Sequence, residues 1–251
     1  MADYDSNRIV RGAAAEAGTI DAGLRAYMLR VYNYMFLALV VTGLTAYWVY
    51  SISVTADQET GRLALTGIGQ ALFGSPLRWV LMLSPLAVVI FINARLNRMS
   101  LGGAQAAFWV FSGLIGVSMA TIFLLFTASS IAQVFFITAA AFGGLSLYGY
   151  TTKRSLSGIG SFLIMGVWGL IIASVVNMFM HSGMISWIVS LAGVGIFAGL
   201  TAYDTQRIKD MYTAGDDGTV TGKKAILGSL ALYLDFINMF QFLLMLVGNR
   251  R

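Results

Sequence analysis

Seven long apolar runs separated by short polar connections leave this chain few ways to fold. A helix of about 20 apolar residues crosses the hydrocarbon of a bilayer. Lipid cannot satisfy exposed strand edges, so helices are the only open-ended solution. The runs lie at residues 33–52, 77–96, 104–126, 130–150, 159–180, 185–206 and 225–247. Composition points the same way: of 251 residues, 58% are hydrophobic and 11% charged, where soluble chains carry about 25% charge. The expected fold is all-α, a polytopic membrane protein with seven transmembrane helices. Residues 1–24 are polar and mixed in charge, without the apolar core of a signal peptide, and read as a flexible cytoplasmic tail. Residues 25–251 read as one transmembrane domain.

Basic residues set the orientation. With the N-terminus in the cytoplasm, the inner side receives Arg8, Arg11, Arg25, Arg30, Arg95, Arg98, Lys153, Arg154, Arg207, Lys209, Lys223 and Lys224. The outer side receives only Arg62, Arg78, Arg250 and Arg251. That asymmetry places the N-terminus inside and the C-terminus outside. Arg250 and Arg251 pull against it: a last run that enters and turns back would leave six spans and a re-entrant segment. Seven full spans are the expectation. The net charge of +5 sits at segment ends, the pattern of topology and headgroup contact, so no nucleic-acid partner is expected. Without cysteine, thiol chemistry and Cys-type metal sites are excluded, and the single histidine, His181, lies beside a short loop.

Two of the eleven acidic residues stand apart from the rest. Asp204 lies at the end of the sixth run and Asp235 inside the seventh. A carboxylate in a membrane costs about 2.5–3.5 kcal/mol on insertion scales, so it needs a partner, a wet cavity or a proton. Gly228, Ala231, Asp235, Asn238 and Phe242 share one face at helical spacing, which makes Asn238 a pore-lining candidate. Asp235 lies about 16 Å beyond Lys224 at helical rise, whereas Asp204 is only three residues before Arg207. Hydropathy therefore places the two at different depths. If they meet, two poorly solvated carboxyls share a proton and titrate as a coupled pair. Such a pair also attracts a hard divalent cation, with calcium the natural candidate for weak, transient binding at Asp204 and Asp235. Arg95 closes the second run on the same side as Asp204. It is either a snorkelling arginine or a bridge to Asp204. A small face, Gly195 and Gly199 extended by Ala192 and Ala202, reads as helix packing.

Tyr203-Asp204-Thr205-Gln206-Arg207-Ile208-Lys209, followed by Leu232-Tyr233-Leu234-Asp235-Phe236-Ile237-Asn238, closely resembles the Bax inhibitor-1 family over essentially the whole chain. The short tail is similar to bacterial, inner-membrane members. The resemblance implies a pH-sensitive calcium leak, with Asp204 and Asp235 as the sensor in the pore. It also implies a latch from a second-helix arginine to the first aspartate, for which Arg95 is the match and Arg98 the competitor. Calcium is then permeant ion rather than cofactor, no enzyme activity or cofactor is expected, and a monomer in the lipid bilayer is the expected form. The alternative is a non-conducting regulator that binds a membrane-anchored protease, as some bacterial relatives do. An intramembrane aspartyl protease fits poorly, because Tyr233-Leu234-Asp235 lacks the Gly-x-Gly-Asp turn of those enzymes.

Overall fold

A computed structural model describes residues 22–55, 63–96 and 98–250 in full. The tail expected over residues 1–24 lies, up to residue 21, outside the described residues. The elements in chain order are α1 (Ala2–Ser53), β1 (Val54–Ala56), β2 (Leu63–Leu65), α2 (Gly67–Gly69), α3 (Leu77–Arg95), α4 (Leu101–Met119), α5 (Ile122–Leu125), α6 (Ala128–Thr151), α7 (Ser157–Met180), α8 (Gly183–Asp210) and α9 (Gly218–Val247). Among the described residues, seven helical segments are long and apolar enough to cross a membrane: Ala22–Ser53, Leu77–Arg95, Leu101–Leu125, Ala128–Thr151, Ser157–Met180, Gly183–Asp210 and Gly218–Val247. They match the seven apolar runs to within a few residues at most ends. The first and last begin well before their apolar runs. The chain is a multi-pass, all-α membrane protein.

Helix starts carry the expected caps. Ser100, Thr127, Ser182 and Asp217 accept backbone N–H groups at the starts of α4, α6, α8 and α9. His181 ends α7 in the left-handed region, at φ 51°, with Asn177 Oδ1 accepting from the next N–H. The lone histidine is a helix terminator. In the connection after α1, β1 and β2 pair antiparallel, and Gly69 is seated against the Ser53 carbonyl.

α9 is the axis of the bundle. It packs against α8, α1, α6 and α4, and half of its side chains are buried. Its N-terminal end meets Leu101 at Gly222, at the start of α4. Its C-terminal end meets the junction before α6: the Asn249 carbonyl accepts from Thr127 N, Asn249 N donates to Ser130 Oγ, and Phe126 pairs with Arg250. At 30 residues, or about 45 Å of continuous helix, α9 runs from one side of the bundle to the other. This removes the re-entrant alternative. α3 packs chiefly on α4 and lies at the margin of the bundle.

The small face expected on α8 is split. Gly199 takes Leu163 of α7 and Ala202 lies against Gly149 of α6, but Gly195 meets nothing and is exposed. The tightest α8–α9 approach uses Gly193 instead, filled by the Phe242 ring. Trp48, Trp79 and Trp187 are exposed as an interfacial belt requires, whereas Trp109 packs against Tyr34 and Phe108.

Candidate functional site: a carboxyl pair between the last two helices

The register of α8 against α9 follows from two close contacts. Gly228 receives Ile208, and Gly193 receives Phe242. In that antiparallel alignment Asp235 falls within one turn of Asp204. The depths read from the sequence misled because neither Arg207 nor Lys224 marks the end of its helix: α8 continues to Asp210, and α9 starts at Gly218 rather than 225. The first turns of α9 run alongside the 211–217 connection, where Lys224 Nζ donates to the Met211 carbonyl and pairs with Asp216.

The side chains flanking the aspartates are committed elsewhere, which leaves the carboxyls to face each other. On α8, Tyr203 lies over Gly160 of α7. Thr205 donates to the Thr201 carbonyl, so Ser146 donates to Thr205 Oγ1 and Tyr32 in turn donates to Ser146. Gln206 holds the α6–α7 connection, accepting from Leu156 N and donating to the Arg154 carbonyl. On α9, Tyr233 packs on Phe108 and Phe111 of α4. Its hydroxyl donates to Thr42 Oγ1 of α1 (2.6 Å), because Thr42 spends its own proton on the Ser112 carbonyl. Phe236 packs on Phe135 and Phe142 of α6. Tyr203, Thr205, Gln206, Tyr233 and Phe236 are thus each held by another part of the bundle. Asp204 and Asp235 are left within hydrogen-bonding reach of each other.

Their surroundings differ. Asp235 is 3% exposed, and its Oδ2 has no hydrogen-bond partner among the described residues. Such a group is costly to bury as an anion. The Asp204 side chain retains 13% exposure and pairs with Arg207 Nη1 at 3.6 Å, one turn along the same helix. It lines a cavity of about 190 Å³ together with Asn93, Arg207, Ile208, Met211 and the α9 residues from Leu227 to Leu234. Arg207, with 59% of its side chain exposed, stands at the rim on the side that the basic residues mark as cytoplasmic. A second cavity of about 560 Å³, mostly apolar, lies between α3, α4 and the outer half of α9.

Arg95 does not reach this site. Its side chain is exposed at the end of α3, and the Arg95–Asp204 bridge is not formed among the described residues. The cation facing Asp204 is Arg207, which spacing alone could have indicated, since residues three apart on a helix are neighbours. The α3 residue in the cavity wall is Asn93. Asn238 is half-buried and donates to the Leu234 carbonyl of its own helix, not to Asp235. It lines neither cavity. No cluster of three or more acidic or histidine side chains occurs among the described residues, so a calcium ion at the pair would complete its six to eight oxygens with water and carbonyls.

The family model for inhibitor of apoptosis-promoting Bax1 matches residues 24–251. The chain belongs to the Bax inhibitor-1 family. Among bacterial relatives, protein RP147 of Rickettsia prowazekii is 45% identical over 93% of this chain and 93% of its own length. A Caulobacter vibrioides protein is 43% identical over 93% of this chain and 92% of its own length. Inner membrane protein YbhL of Escherichia coli K12 is 42% identical over 92% of this chain and 94% of its own length. With its seven apolar helices, this Bax inhibitor-1 family member is a multi-pass protein of the inner membrane.

Proposed function

We propose that this protein is a pH-sensitive calcium leak of the inner membrane, controlled by the Asp204–Asp235 pair. The observation that carries the reading is the pairing of two carboxyls inside an apolar bundle, one lining a cavity beneath an exposed arginine and the other dry behind it. With a proton between them, the pair bears one negative charge, which Arg207 offsets. Loss of that proton leaves two carboxylates side by side, which repel each other and draw a divalent cation into the cavity. The α8–α9 contact and the cation affinity of the cavity therefore change together with the proton. These two effects oppose each other: protonation relaxes the repulsion and weakens the attraction. The direction of the pH response is thus a property of their balance.

Calcium flux into liposomes containing only this protein tests the proposal. The expected result is flux in the wild type and its loss in both Asp204→Ala and Asp235→Ala. Flux absent at every pH would favour the non-conducting alternative, a regulator of a membrane-anchored protease.

A further inference from the structure

The two cavities meet end to end along one seam of the bundle. On α9 the inner cavity, which holds Asp204, reaches as far as Ala231 and Leu234. The outer cavity resumes at Leu234 and is lined further along α9 by Gln241, Leu244 and Met245. α3 repeats the order, with Asn93 in the inner wall and Val89, one turn further out, in the outer wall. Leu234 is the one described residue that lines both. Its side chain is half-buried and packs against the edge of the core, with a cavity on either side of it.

Resting on the leak reading above, we propose that Leu234 is the hydrophobic constriction between two vestibules of a single path along the α3–α9 seam. An isobutyl group offers no oxygen to replace a cation's hydration shell, and a narrow apolar neck closes a path by expelling water. The constriction is built into the same rigid helix as the sensor. Leu234 immediately precedes Asp235, so the two side chains project about 100° apart around α9, Asp235 toward α8 and Leu234 into the seam.

The chain contains no cysteine, so single cysteines report the two vestibules cleanly. In vesicles of known sidedness, a membrane-impermeant thiol reagent is expected to label Ala231→Cys only from the side of the 211–217 connection and Gln241→Cys only from the opposite side. Adding Leu234→Ala should make Ala231→Cys reactive from both sides. In the flux measurement, Leu234→Ala should raise calcium leak several-fold and Leu234→Phe should lower it below wild type, with both variants still monodisperse in detergent. If labelling crosses the neck in Leu234→Ala but no variant conducts calcium, the constriction stands and the calcium reading falls. If Leu234→Ala changes neither labelling nor a measurable wild-type flux, the constriction is overturned.

Discussion

α9 meets the rest of the bundle in two opposite ways. Against α8 it is welded: Gly228 and Gly193 admit Ile208 and Phe242, and the carboxyl pair lies between. Against α3 it is separated by two cavities that meet at Leu234. Burial follows the same division, with 50% of the most apolar window of α9 buried but only 11% of that of α3. In lipid, helix association rests on close packing and interhelical hydrogen bonds rather than on apolar area alone. The welded side therefore holds the sensor in register, and the open side supplies the room in which something can pass or move.

Equal truncations on the two sides should break this comparison if it is wrong. Leu232 is fully buried on α9, and Leu232→Ala should cost about 2–5 kcal/mol. Leu86 on α3 is 58% exposed, and Leu86→Ala should stay within about 0.5 kcal/mol. Denaturation in detergent reads both, and similar losses would contradict the division. Tyr233→Phe removes one hydrogen bond from α9 to α1 but leaves Thr42 its Ser112 acceptor, so it should cost about 1 kcal/mol in the same measurement. The Arg207–Asp204 pair, with the arginine 59% exposed, should contribute little: Arg207→Gln is expected to cost about 0–1 kcal/mol of stability. It should nevertheless shift the pH dependence of flux, whereas Arg95→Gln should shift neither.

Much of the bundle was legible in the sequence. Apolar run length alone located seven spans, and the isolation of Asp204 and Asp235 among eleven acidic residues singled out the pair. Depth was not legible, because it was measured from Arg207 and Lys224 as if both marked the membrane edge. Arg207 instead lies within a helix that runs on to Asp210, and Lys224 lies two turns inside α9, tied to Met211 and Asp216. The bridge expected from Arg95 depended on where α3 sits around the bundle, and no feature of an apolar helix records its neighbours. Asn238 shared the face of Asp235 on a helical wheel, but its amide found the nearer carbonyl of Leu234. Leu234 itself carries no signal in sequence: it is one leucine among many, distinguished only by the space on either side of it.

Calcium flux across a pH series, in liposomes holding the wild type or Asp204→Asn or Asp235→Asn, tests the central claim most directly. Each asparagine keeps the shape of the site and removes one carboxyl of the pair, leaving the other to titrate alone. The account predicts a flux that varies with pH in the wild type and a pH dependence that is shifted or lost in each variant. A wild-type pH dependence that survives unchanged in both variants would contradict it.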